Sequence, residues 1–157
     1  MRARGFLLGD GRGHRRAPEG TYFPQPRVGA SGGREVLLDE LLGPGFAVLV
    51  RQGTQEASAR AAQALADALG ARCLSVIAQD KRPARDGEVM DREGVLGAWF
   101  ERYGVDIAVL RPDRYLFGAV RGSHLSWLAG ALRERIRGPL RGHEPSAGAP
   151  PRAAPAV

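Results

Sequence analysis

Apolar residues gather in four runs through the middle of the chain, and between the runs they recur at helical spacing. Residues 46–51 (Phe-Ala-Val-Leu-Val-Arg) are almost continuously apolar, as expected of a strand buried on both faces. Residues 73–78 (Cys-Leu-Ser-Val-Ile-Ala) predict a second strand and 106–110 (Asp-Ile-Ala-Val-Leu) a third. A fourth run follows at 115–120, after the turn signal Pro112-Asp113, so the last two strands read as an antiparallel hairpin. Upstream, Leu37-Leu-Asp-Glu-Leu-Leu42 predicts a short amphipathic helix stopped by Gly43-Pro44-Gly45.

Three longer helices are predicted. In the first, Thr54 is a plausible N-cap, Ala57, Ala61, Leu65, Ala68 and Leu69 mark the inner face, and Gly70 ends it. Residues 79–90 are polar and charged and read as a loop. Asp91 then caps a helix that sets Val95, Leu96, Trp99, Phe100 and Tyr103 on one side and stops at Gly104. Ser123 caps the last helix, whose inner face is Leu125, Leu128, Ala129, Leu132 and Ile136. Gly138-Pro139 terminates it.

The resulting order, β-α-β-α-β-β-α, begins with a crossover unit that should be parallel and right-handed. It is the order of the thioredoxin fold. The expectation is an α/β domain with a mixed four-stranded sheet flanked by helices. In a redox thioredoxin the CxxC dithiol sits between the first core strand and the following helix. Here that position reads Arg51-Gln-Gly-Thr54, so the CxxC motif is absent. The expected organisation is an irregular Arg/Gly/Pro-rich segment over 1–33, the thioredoxin-like domain over 34–138, and a disordered Pro/Ala-rich tail over 139–157.

Charge alters this picture little. The formal net charge is +6, and nearly all the base is arginine, with Lys81 the only lysine. Between Arg34 and Arg137 the two signs almost cancel. The excess lies in the tails: Arg2, Arg4, Arg12, Arg15, Arg16 and Arg27 before the core, Arg141 and Arg152 after it. A nucleic-acid reading would rest on those tails alone. No apolar run approaches the roughly 20 residues that span a bilayer. Gly5-Phe-Leu-Leu-Gly9 is too short for a signal-peptide core, so a cytoplasmic location is expected.

Candidate chemistry is sparse. Cys73 is the single cysteine, which excludes an intramolecular disulfide, and its place in an apolar run predicts a buried thiol. Gly9-Asp-Gly11-Arg-Gly13-His14 has dinucleotide-loop glycines at the wrong spacing, with no strand before it. His14, His124 and His143 have no metal-ligand spacing with one another or with Cys73. Glu35, Asp39 and Glu40 cluster on the short amphipathic element and read as a solvated face. Trp99, Phe100 and Tyr103 read as core. Trp127 falls one position off the inner face of the last helix, which makes it the candidate interface residue. No catalytic, cofactor-binding or metal-binding residue is expected.

Three segments taken together carry a resemblance: Phe23-Pro-Gln-Pro-Arg-Val28, the stretch from Leu37 through Gly43-Pro-Gly-Phe46 to Leu49, and Val109-Leu-Arg-Pro-Asp-Arg-Tyr-Leu-Phe-Gly118. Their order and spacing resemble the C-terminal domain of FAD-dependent aromatic-ring hydroxylases, nearest to the 3-(3-hydroxyphenyl)propionate hydroxylases of the phenol hydroxylase group. The resemblance runs from about Tyr22 to Arg121. It implies a thioredoxin-like fold without the dithiol, and a parent enzyme whose FAD and NAD(P)H chemistry lies in a separate N-terminal region. It therefore implies an assembly or dimerisation module packing on a flavoprotein body or on itself. The alternatives are a subunit of a split hydroxylase, active only with a flavoprotein partner, and an Arg-tail nucleic-acid binder.

Overall fold

The computed structural model describes residues 19–137. Along them run β1 (Arg27–Gly29), β2 (Glu35–Leu37), α1 (Leu38–Leu42), β3 (Ala47–Arg51), α2 (Glu56–Leu69) and β4 (Arg72–Ile77). Then come β5 (Glu88–Met90), α3 (Val95–Tyr103), β6 (Ile107–Leu110), β7 (Leu116–Val120) and α4 (Leu125–Arg137). The strands form one mixed sheet in the order β2-β1-β5-β4-β3-β6-β7.

The four anticipated strands are its middle and one flank. β3 pairs parallel with β4, with Val48 opposite Cys73, as a crossover unit requires. On its other side β3 pairs antiparallel with β6, and β6 with β7 across the expected hairpin. The sheet has seven strands rather than four. The additional ones, β1, β2 and β5, are three residues each. They are too short to show an alternation, and each lies in a stretch punctuated by Gly, Pro or charge. β5 pairs parallel with β4 inside the segment read as a loop. β1 and β2 form a hairpin that touches β5 through one pair, Gly29 with Met90. Structure therefore begins ahead of Gly33: β1 lies inside the segment expected to be irregular, and Phe23 is fully buried. Residues 1–18 and 138–157, which hold the predicted tails, lie outside the described residues.

Side chains of a strand alternate between faces, and β3 distributes its apolar run accordingly. Ala47 and Leu49 enter one core with Phe23, Leu38, Leu42, Leu96 and Phe100, under α1 and α3. Val48 and Val50 enter the other with Ala62, Leu65, Leu128 and Leu132, under α2 and α4. Helices thus cover both faces, which accounts for strands that read as uninterrupted apolar runs.

Local details depart from the expected pattern in three places. The inner face of α2 is Ala62, Leu65 and Ala66, while Ala57, Ala61 and Ala68 face water. Alanine occurs all round this helix, so its periodicity carries little contrast. The caps are shifted as well. The Thr54 hydroxyl donates to the Arg51 carbonyl at 2.6 Å, one residue before the Gln55 cap. Asp91 is buried and accepts from the Gly97 amide at 2.7 Å, serving the first turn of α3 from outside it. Ser123 lies in a single 3-10 turn, Gly122–His124, that feeds α4. Finally, Ile136 is 54% exposed, although helical spacing put it on the inner face of α4. Phe100→Ala should therefore cost about 3–5 kcal/mol by denaturant unfolding, and Ile136→Ala under about 0.5 kcal/mol. Equal costs would mean that Phe100 does not fill the core under α1 and α3.

Candidate functional site

The edge of the sheet where a thioredoxin carries its dithiol is closed by hydrogen bonds within the protein. The Arg51 amide donates to the Asp106 carbonyl at 2.8 Å and the Gln52 amide to the Val76 carbonyl at 2.8 Å. The turn is completed at Gly53, whose φ of 84° suits glycine, and by the Thr54 amide on the Arg51 carbonyl at 3.2 Å. Side chains complete the closure. Gln52 Oε1 accepts from the Ala78 amide at 3.1 Å, and Arg51 pairs with Glu101 at 2.8 Å. Asp106 accepts from the Gly122 amide at 3.1 Å, and Arg121 Nε donates to the Gly104 carbonyl at 3.0 Å. A shallow cleft of about 490 Å³ lies between Arg51, Glu101, Asp106 and Arg121. The groups lining it are two guanidiniums and two carboxylates, and neither type supplies a soft nucleophile.

Cys73 lies away from that edge, opposite Val48 near the start of β4. It is half-buried, and burial together with the neighbouring Asp67 carboxylate pushes its thiol from the ordinary 9.0 up to about 11. Both effects disfavour the thiolate, the form that reacts.

The candidate carboxylates separate into three structural jobs. Glu35 pairs with Arg92 at 2.6 Å, Glu40 accepts from the Leu37 amide at 3.2 Å, and Asp39 pairs with Arg114. Trp99 is half-buried among Phe23, Phe100 and Tyr103, with ring centroids 4.8–5.4 Å away and edge-on geometry, as the core reading expected. His124 lies in the turn before α4, while His14, His143 and the Gly9–Gly13 motif lie outside the described residues. Among the described residues no cluster of His, Cys, Asp and Glu could hold a metal, and no helix is long and apolar enough to cross a membrane. Trp127 is 36% exposed on the rim of a cleft of about 500 Å³ between β7 and α4.

The residue that sequence reasoning missed is Arg114. It lies in the third of the three resembling segments and touches both of the others. Its guanidinium pairs with Asp39 of α1 through Nε and donates from Nη2 to the Gly43 carbonyl at 2.6 Å. Its own carbonyl accepts the Phe23 amide at 3.0 Å. Arg114 is also the one described non-glycine residue at positive φ, 66°. That conformation costs an L-residue roughly 1–2 kcal/mol, so the position tolerates arginine because of what the side chain reaches. The only sequence signal was that Arg-Pro-Asp-Arg-Tyr belongs to one of the three resembling segments, which gave no hint of contact.

The family model described as HcaD C-terminal domain matches residues 20–135. The chain belongs to that family. All three segments joined by Arg114 fall inside the match. Among relatives, a 3-(3-hydroxy-phenyl)propionate/3-hydroxycinnamic acid hydroxylase of Mycobacterium avium is 35% identical over 144 residues, which cover 84% of this chain and 24% of the relative. The enzyme of the same name from Klebsiella pneumoniae subsp. pneumoniae is 34% identical over 142 residues, 84% of this chain and 25% of the relative. The chain thus spans about a quarter of the length of these curated relatives.

Solved structures agree on the fold. The flavin-dependent monooxygenase PieE superimposes with a TM-score of 0.54 at 20% identity, covering 86% of this chain and 23% of that one. The thioredoxin domain of a thiol-disulfide oxidoreductase from Bacteroides vulgatus gives 0.53 at 12% identity, covering 77% of this chain and 99% of that one. This HcaD C-terminal domain therefore has a thioredoxin-like fold, and its relatives are named as hydroxylases.

Two outcomes follow for this HcaD C-terminal domain. Arg114→Ala should destabilise by about 2–3 kcal/mol in denaturant unfolding, and Arg114→Gly by about 1 kcal/mol less, because glycine relieves the positive φ while losing the same contacts. Equal losses would show that the backbone there is unstrained. Cys73 should react with a disulfide reagent near pH 8 at least about tenfold slower than in the urea-unfolded chain, since a thiol at about 11 is scarcely ionised there. Because folding raises this value, the unfolded state loses its proton first. Stability owed to Cys73 is then complete below 9.0 and declines as pH rises toward about 11.

Proposed function

We propose that this chain is a non-catalytic assembly module of an FAD-dependent aromatic-ring hydroxylase. The observation that carries the reading is the family match over residues 20–135 in a chain that spans about a quarter of its hydroxylase relatives. In this reading FAD and NAD(P)H are bound by the remainder of the parent enzyme, and the domain packs on that flavoprotein body or on a second copy. A cytoplasmic location goes with those cofactors.

Whether the residues present suit FAD is decided at the β3–α2 junction, the strand-to-helix turn where a dinucleotide's pyrophosphate would meet helix amides. The fit is poor. The turn has one glycine, Gly53, where the fingerprint needs three, and the Gln52 and Thr54 amides are already bonded to carbonyls. The first turn of α2 is also covered. The backbone at Gly122 approaches so closely that a Cβ there would lie 2.5 Å from Ser58 Oγ. No step of hydroxylation is assigned to these residues.

What the arrangement supplies is rigidity: an ion-paired sheet edge, two filled cores and helices on both faces. The purified chain should be colourless, carry no stoichiometric flavin and oxidise no NAD(P)H with a phenolic acid present. A yellow protein with one flavin per chain would overturn the reading. Hydroxylation that appears only on addition of a flavoprotein partner would instead assign the chain to a split enzyme.

A further inference from the structure

The face between β7 and α4 combines three features found together nowhere else among the described residues. Trp127 lies partly in water on its rim, although α4 otherwise buries its large apolar side chains up to Leu132. Phe117 is half-buried beside it under the Arg135 guanidinium, which stands 5.6 Å from the ring centroid. Gly130 and Ala131 form part of the lining, so a partner can approach the α4 backbone closely. An aromatic anchor, a shallow apolar floor and a rim of Glu134 and Arg135 are the anatomy of a protein interface.

The path of the chain names the occupant. Residues 19–22 run antiparallel along the edge strand β7. Tyr22 bridges Tyr115, the Leu116 amide donates to the Thr21 carbonyl at 2.8 Å, and the Gly20 amide to the Leu116 carbonyl at 2.9 Å. Glu19, the next residue back, lines the cleft itself. The polypeptide therefore reaches this domain at the cleft. In the relatives the matching region is about a quarter of the chain and belongs to a C-terminal domain, so the larger remainder is tethered at this point. A tether of that kind holds its cargo at an effective concentration of roughly millimolar, well ahead of a free second copy.

We infer that the β7–α4 cleft is the surface on which this domain packs against the flavin-binding body of a hydroxylase, with Trp127 and Phe117 as its anchors. The inference rests on the assembly-module reading and adds the face and the residues.

The test places residues 20–135 of this chain in the Mycobacterium avium hydroxylase in exchange for its own matching quarter. It compares Trp127→Glu with Ile136→Glu, an exposed apolar position on the same helix outside the cleft. Limited proteolysis reads the rate at which the domain is released, and urea unfolding of the full isolated chain reads its own stability. Trp127→Glu should speed release on the order of tenfold. Ile136→Glu should leave release unchanged, and the isolated chain should unfold at the same urea concentration with either residue at 127.

Three results would overturn the inference. The first is release that is insensitive to Trp127→Glu. The second is an isolated chain destabilised as much as the chimera, which would make Trp127 an internal packing residue. The third is an isolated-chain dimer in sedimentation that Trp127→Glu dissolves, which would make a second copy the occupant. Flavin absorbance is read separately. A chimera that releases its domain as expected while the isolated chain carries stoichiometric flavin would keep the packing face and sink the non-catalytic reading.

Discussion

A guanidinium that is mostly withdrawn from water needs acceptors around it, and Arg114 has two of them, the Asp39 carboxylate on Nε and the Gly43 carbonyl on Nη2, while Nη1 is buried with no partner among the described residues. The side chain reaches α1 and the turn after it, while its carbonyl holds the segment that carries Phe23 into the core. Phe23 and the α1 leucines, Leu38 and Leu42, are among the largest fully buried side chains of one of the two cores. Closing that core thus depends on a polar contact made by a residue in an unfavourable backbone conformation. The hairpin turn, the first helix and the leading segment are thus fixed to one another through Arg114.

The rest of the architecture follows from a strand apolar on both sides. β3 needs a helix layer over each face, which makes α2 and α4 cover one and α1 and α3 the other. The sheet edge at the end of β3 is the place where related folds mount chemistry. Here it is consumed by backbone bonds and by arginine–carboxylate pairing. The same scaffold that positions a dithiol elsewhere is closed at that edge, and a partly exposed tryptophan lies on a separate cleft beside β7.

How much of this was legible in the sequence depended on length and contrast. β3, β4, β6 and β7 were legible because each offered at least four consecutive mostly apolar residues. α3 was legible because its large side chains leave little choice of face. α2 was found, but its face slipped, since alanine sits on all sides of it. Three-residue strands give no period to detect, so β1, β2 and β5 emerged only from tertiary pairing. The partial exposure of Trp127 was legible from its offset against Leu125 and Leu128. Arg114 was not, because a long-range guanidinium contact across 75 positions leaves no local pattern.

The single pair that joins β1 to β5 divides the sheet into a continuous panel and an appended flap. The seam is closely packed: a Cβ on Gly29 would fall 2.6 Å from Met90 Cε, the flexible end of that side chain. Beyond that seam the hairpin is held by the burial of Val28 and by the chain leading into it, with little help from strand pairing. A sheet built this way is mechanically anisotropic. Force applied along β3 must shear two ladders at once, against β4 and β6, whereas a pull on the hairpin peels it across one bridge and exposes the margin of β5 as a new strand edge. Loss of the hairpin would therefore leave the pairing of β3, β4, β6 and β7 intact.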